Sequence, residues 1–238
     1  MLAKLLDLLW PRDCAVCGRP ADRPGRHICS DCVNRLPFVS LTGCCRKCGR
    51  SVEELDVEFL CSDCRQSRPA FDRAASAMRF EGEARELINA FKFRSDFRLR
   101  DDLVDILEAV TTTRFKVEEI DLIAPMPSTL LHRLDRGFNQ VDYLAAALAR
   151  RLKRPYAKRL LKRVNSPKRQ GRLSEEERRK NVVGTFAVRR PEWVSNRTVL
   201  VVDDIMTTGS TLSECAKELK SAGASRVWCV TLTRTFRG

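Results

Sequence analysis

The sequence predicts an α/β fold in which strands buried on both faces alternate with helices, preceded by a small cysteine-rich module. Three observations carry this. Val199-Leu200-Val201-Val202 is an unbroken aliphatic run of the kind that fills a doubly covered strand, and it leads through Asp203-Asp204 and Thr207-Thr208-Gly209-Ser210-Thr211 into an amphipathic helix. Up to Cys64 the chain repeats Cys-x-x-Cys four times. Its 238 residues suffice for one α/β domain with a real core plus one small module.

Taken in order, Leu2 to Trp10 is too short to cross a bilayer and is interrupted by Lys4 and Asp7, so an amphipathic helix stopped by Pro11 is expected, with no membrane insertion. The four pairs follow: Cys14 and Cys17, Cys29 and Cys32, Cys45 and Cys48, Cys61 and Cys64. Two thiolates separated by two residues wrap one side of a metal ion, and two such knuckles complete the tetrahedral S4 site that Zn²⁺ prefers, so two structural zinc sites are expected. Pairing of consecutive knuckles is the simplest arrangement, and first with third stays open. Cys44 is a spare thiol with a fallback ligand role, and His27 can either replace a cysteine at the first site or be a loop residue. Four thiolates leave no open position for a catalytic metal, which makes the module structural or partner-binding. Eleven cysteines, most of them paired this way, fit metal ligation in a reducing compartment, and a cytoplasmic location is expected.

Gln66-Ser67-Arg68-Pro69 reads as a linker and Ala74 to Phe80 as a strand. A helix over Glu83 to Phe93 turns Leu87, Ile88 and Phe91 to one face, and one over Leu99 to Val110 turns Leu103, Ile106, Leu107 and Val110 inward. Lys92 and Arg94 read equally as anion contacts or as solvated cations at a helix C-terminus. Asp121 to Ala124 is a buried strand running into the proline-bracketed turn Pro125-Met126-Pro127-Ser128. A long helix, Val141 to Leu152, directs Leu144, Ala145, Leu148 and Leu152 to the core. Ser174 followed by Glu175, Glu176 and Glu177 is a capped helix start. Thr185 to Val188 and Val227 to Leu232 are strands, with Cys215 and Cys229 as buried thiols.

The loop after Asp204 carries the chemistry. Its amides and hydroxyls can face an anion, Gly209 lets the backbone approach closely, and the helix from about Ser210 aims its positive end at the same point, so a phosphate monoester fits. Asp203 and Asp204 would repel that phosphate and instead suit the hydroxyl edge of a sugar or a divalent cation. A plain βα turn with a capping Asp pair is the competing reading of these residues alone. No Gly-Lys-Ser/Thr follows the loop and no Gly-x-Gly-x-x-Gly occurs, which excludes Walker and Rossmann nucleotide sites.

The pattern of four aliphatics, Asp-Asp-x-x-Thr-Thr-Gly-x-Thr closely resembles the phosphoribosyl pyrophosphate (PRPP) loop of type I phosphoribosyltransferases. With the knuckles, Pro125-Met126-Pro127, Arg136-Gly137-Phe138-Asn139-Gln140 and the stretch from Gln170 and Leu173 through Arg178, Asn181-Val182 and Gly184 to Phe186, the resemblance narrows to the competence-associated ComF/GntX family and covers nearly the whole chain. It implies a Rossmann-like, mostly parallel sheet with helices on both faces over residues 69–238, after an N-terminal helix and double zinc ribbon over 1–68. The implied ligand is PRPP with Mg²⁺, or a related ribose phosphate. Asp203 and Asp204 would be the catalytic carboxylates and Thr207, Thr208, Gly209, Ser210 and Thr211 the phosphate loop. Pro125, Met126, Pro127, Ser128 and Lys92 would hold pyrophosphate. Arg136, Asn139 and Gln140 would reach the ligand from the loop ahead of the Val141 helix, and Gln170, Arg178 and Asn181 from a basic lid at about 163–186.

Two function classes follow. One is a phosphoribosyltransferase with an unknown nitrogenous acceptor; no element recognising such an acceptor is legible, and no glutamine amidotransferase half is present. The other, implied by the family, supports single-stranded DNA uptake during natural transformation, with DNA and an uptake helicase as partners. The formal net charge of +13 gathers between Arg150 and Arg190, where Glu175, Glu176 and Glu177 are the only acids. A polyphosphate ligand, a strand backbone and a solvated helix face all fit that run.

Overall fold

The computed structural model describes residues 12–40, 42–51, 59–93, 96–128, 139–164 and 184–236. In chain order the elements are α1 (Ser30–Arg35), α2 (Ser62–Ser67), β1 (Arg73–Arg79), α3 (Gly82–Phe93), α4 (Arg100–Arg114), β2 (Leu122–Pro125), α5 (Gln140–Arg151), β3 (Leu161–Arg163), β4 (Phe186–Val188), β5 (Thr198–Met206), α6 (Ser210–Ser221) and β6 (Arg226–Arg234). The main sheet has the order β1-β6-β5-β2 and every pairing in it is parallel. Among the described residues no helix is long and apolar enough to cross a membrane.

The aliphatic runs explain the sheet. Successive side chains of a strand point to opposite faces. Leu200, Val202, Val230 and Leu232 meet α3, α4 and α5 through Leu87, Ile88, Phe91, Leu103, Leu107, Leu144 and Leu148. Val199, Val201, Val227 and Cys229 meet Leu212, Cys215, Ala216 and Leu219 of α6 on the other face. Burial of both faces is what removes polar alternation from the strand sequences.

The cysteine module is built into this core. Cys14, Cys29 and Cys32 pack with the α3, α4 and α5 layer, whereas Cys45, Cys48, Cys61 and Cys64 pack with the α6 layer. Between the two halves the chain passes the open edge of β1: Val39 N donates to Ala77 O and Arg79 N to Pro37 O, each at 2.8 Å. That pairing covers an edge that would otherwise offer unpaired backbone groups. Arg23 binds buried Asp102 of α4 at 2.8 Å, and Asp102 also accepts the His27 amide. The Gln66–Pro69 stretch, expected as a linker, is the last turn of α2 closed by Arg68 in the left-handed conformation.

Other differences are local. β3 pairs antiparallel with β4, a partnership across the basic run that local pattern does not disclose. β5 continues through Asp203 and Asp204 to Met206 instead of stopping before them. The expected N-terminal helix and the helix start at Ser174 lie outside the described residues.

Gly18 and Gly49 follow the first and third knuckles in the left-handed region, at φ +70° and +67°. A methyl on Gly18 would meet open space, but on Gly49 it would stand 2.8 Å from Ala74 O. In denaturant melts Gly18→Ala is expected to cost about 1–2 kcal/mol for the left-handed backbone alone. Gly49→Ala should cost about 1–3 kcal/mol more, from overpacking against β1.

Candidate functional site

Asp203 and Asp204 are placed by unequal strand lengths. β5 pairs with β2 only as far as Val202, opposite Pro125, but with β6 as far as Met206. The two carboxylates therefore lie on a strand held from one flank and open on the other. Asp203 Oδ1 accepts the Asp204 amide at 2.9 Å, and Asp204 O accepts Thr233 Oγ1 at 3.3 Å. Lys92 Nζ sits 2.8 Å from Asp204 Oδ1. Burial and the neighbouring Asp204 charge push the Asp203 carboxyl up to about 7, opposed by Lys92. The two aspartates thus differ: Asp204 is buried against an ammonium, and the Asp203 carboxyl is raised by burial and by its neighbour's charge.

The following loop forms the other half. Gly209 has φ +80°, a conformation that favours glycine, and a Cβ there would stand 2.7 Å from the Met206 Cε and push that side-chain end aside. Thr208 Oγ1 and Ser210 Oγ share a hydrogen bond. The N-cap Gly209 gives α6 no side-chain cap, the Ser210 amide donates to Thr208 Oγ1 at 3.3 Å, and beside this helix start lies a cavity of about 180 Å³ lined by Ser67, Pro69, Thr208, Gly209, Ser210, Ser213 and Glu214. Glu214 also reaches this wall, where its Oε1 accepts the Gly184 amide at 2.8 Å. Thr207 is exposed and Thr211 half-buried at the loop's two ends. Amides, hydroxyls and a helix N-terminus around a small cavity can receive a phosphate.

A second cavity, of about 490 Å³, has Pro125, Pro127 and Ser128 on one side and Arg159, Lys162, Arg163 and Arg189 on the other. Met126 is buried, and its carbonyl accepts Asn139 Nδ2 at 3.0 Å. Among the described residues Ser128 Oγ and Arg163 Nε are buried without a partner, as expected of groups awaiting a polar ligand. Arg163 also faces Asp203, whose charge counters the effect of burial on its guanidinium.

Not every expected contact residue is spent on ligand space. Asn139 caps α5, and Gln140 is buried with Nε2 donating to the Phe91 and Lys92 carbonyls at 2.5 and 3.0 Å. Gln140 thereby holds the end of α3 that presents Lys92 to Asp204. Arg94, Arg136, Gln170, Arg178 and Asn181 lie outside the described residues. Three participants were not singled out from the sequence: Arg163, Glu214 and Arg234. Arg234 is fully buried at the end of β6, opposite Met206, and donates to Cys48 O at 2.7 Å. A charged residue closing an apolar strand was the one available signal.

The knuckles pair consecutively. Cys14, Cys17, Cys29 and Cys32 form one cluster and Cys45, Cys48, Cys61 and Cys64 the other. Thiolates about 2.3 Å from a tetrahedral zinc lie about 3.8 Å apart. The Cys17–Cys29 and Cys48–Cys61 sulfurs are each 3.8 Å apart, so both sites fit zinc. His27 and Cys44 stand outside the clusters; the Cys44 thiol donates to Ser40 O.

A double zinc ribbon family model matches residues 5–66 and a phosphoribosyl transferase domain model residues 143–236. Competence protein F of Haemophilus influenzae is 30% identical over 84% of this chain and 87% of its own length. DNA utilization protein YhgH of Escherichia coli K12 is 30% identical over 95% of this chain and 99% of its own. Competence protein ComFC of Bacillus subtilis is 27% identical, over 90% and 86%.

Because Asp203 titrates near 7 when folded and near 4 when unfolded, the folded chain keeps a proton that the unfolded chain releases, and stability falls as pH rises through that window. Asp203→Asn should therefore melt higher than the parent at pH 8, with the difference vanishing toward pH 4. Replacing Arg234 with Met should release Cys48 O; thiol titration with a chromogenic reagent should then find the second cysteine cluster reacting faster than the first.

Proposed function

The chain belongs to the ComF/GntX family, that of competence protein F and ComFC, and on this premise we propose that it binds PRPP with Mg²⁺ in the cytoplasm and supports the uptake and use of single-stranded DNA. The observation that carries the PRPP half is the carboxylate pair on the open flank of β5, directly ahead of a helix that starts from Gly209 beside the 180 Å³ cavity. The Lys92 ammonium against Asp204 is a cation already standing at that pair, which supports its fitness for a divalent ion.

In this reading the amides and hydroxyls of Thr207 to Thr211 bind the 5-phosphate, and Gly209 keeps that backbone close. Asp203 and Asp204 orient the ribose hydroxyls or their metal. Asp203 and Asp204 would hold the metal, which would supply positive charge against the pyrophosphate. Pro125 to Ser128 fix the pyrophosphate end, with Arg163 supplying positive charge at the same cavity and Lys92 moving between Asp204 and the anion. Asn139 and Gln140 act through the backbone, by holding Met126 and the end of α3.

The DNA half is supported by what the relatives are named for, competence and DNA utilization, and by the cations Arg159, Lys162 and Arg189 that line the second cavity. An uptake helicase is the proposed protein partner. The second reading, transfer of phosphoribose to a nitrogenous acceptor, is favoured by that cavity, which has room beyond a pyrophosphate.

Asp203→Asn combined with Asp204→Asn should abolish Mg²⁺-dependent heat of PRPP binding in calorimetry; unchanged affinity rejects the site. Pyrophosphate release from PRPP, assayed across a panel of nitrogenous acceptors, separates the readings: release with any one of them establishes transfer, and PRPP binding without release leaves a binding protein.

A further inference from the structure

A third cavity, of about 610 Å³, lies away from the carboxylates, between the second cysteine cluster and the start of β1. Four cations line it: Arg46, Lys47, Arg68 and Arg73. Its one carboxylate, Asp72, is already committed, with one oxygen 2.7 Å from Lys220 Nζ and the other accepting the Val227 amide. Among the described residues no carboxylate pairs with Arg46, Lys47, Arg68 or Arg73, and the described lining holds four cations against one carboxylate. Burial pulls the Arg73 guanidinium below its ordinary value, as does the charge of Arg114, and an anion there would relieve both.

Beside this charge stands an aromatic ring. Phe59 is 60% exposed, the largest exposure among the exposed large hydrophobic residues, and it precedes Leu60 of the cavity wall. Its backbone is left-handed at φ 58°, a conformation unfavourable for an aromatic residue, and its carbonyl accepts the Arg46 amide at 2.9 Å. Strained backbone thus ties an exposed aromatic residue by its carbonyl to Arg46 and by the chain to Leu60, both of the basic cleft. A positive groove that takes phosphates, with an aromatic face on which a base stacks, is the recognition chemistry of single-stranded nucleic acid. A folded protein partner would cover the ring but has no need of four uncompensated cations.

We propose that this cleft of the second zinc ribbon is a single-strand binding subsite, with a base stacked on Phe59 and backbone phosphates held by Arg46, Lys47, Arg68 and Arg73. It rests on the DNA half of the proposed function and is independent of PRPP binding. Pro69 lines both this cleft and the 180 Å³ phosphate cavity, so the strand passes within one residue of the sugar-phosphate site.

The test is fluorescence anisotropy of a labelled oligothymidylate with the full-length zinc-bound chain. Arg46→Gln with Arg68→Gln should weaken binding about ten-fold and flatten the slope of log affinity against log salt by about 1.4, two phosphate contacts at roughly 0.7 each. Phe59→Ala should weaken binding at least five-fold, about 1 kcal/mol of lost stacking, without changing that slope. Phe59→Trp should retain affinity, and its indole emission should be quenched by the strand. Each variant must keep two zinc ions and bind PRPP as the parent does. Parental affinity and slope in the variants overturn the subsite, as does equal binding of polyglutamate. If Arg159→Gln with Lys162→Gln alone removes strand binding, DNA binding stands and this subsite falls; if the parent binds no strand, both fall.

Discussion

Two adjacent carboxylates held at the inner end of a buried strand are the constraint to which the rest of the structure answers. Like charges on neighbouring residues in a desolvated place resist ionisation, and Asp203 shows it by titrating near 7. The arrangement persists because neighbouring elements hold it. β6 pairs with β5 beyond both aspartates, Thr233 binds the Asp204 carbonyl, and Gln140 fixes the helix end that brings Lys92 to Asp204. The raised Asp203 carboxyl is what remains of that crowding.

The zinc ribbons are part of this support. Each half packs on a different face of the sheet, and the segment joining them closes the edge of β1. From the second half, Cys48 O takes the buried Arg234 guanidinium at the end of β6, across the register from Met206. Met206 in turn closes the space over Gly209. A continuous run of contacts therefore links one cysteine cluster to the loop at Gly209. A small zinc module with little apolar surface of its own gains stability from this packing, and the sheet gains a covered edge and a braced end.

The concentrated positive charge acquires structure only in three dimensions. Arg159, Lys162, Arg163 and Arg189 meet across the short β3–β4 pair to form one wall of the cavity beside Pro125. Arg46, Lys47, Arg68 and Arg73, scattered among the knuckles and the following strand, meet at another. Charge summed along the chain marks the first group and misses the second, since proximity in space has no counterpart in local composition.

The sequence by itself determined whatever is encoded locally: the metal knuckles from their spacing, the buried strands from unbroken aliphatic runs, the helix faces from a 3.6-residue period, and the turn of Thr-Thr-Gly-Ser-Thr between Asp-Asp and a helix. These signals survive without a partner because each is a property of a short segment. Tertiary structure alone decided which knuckles share a metal and that Lys92 faces Asp204. It also turned Asn139 and Gln140 toward backbone carbonyls, buried Arg234 beneath a cysteine cluster, and made a three-residue β3 into a cavity wall. Each of these joins residues far apart in the chain, where pairing depends on how the sheet packs, and no short segment carries that information.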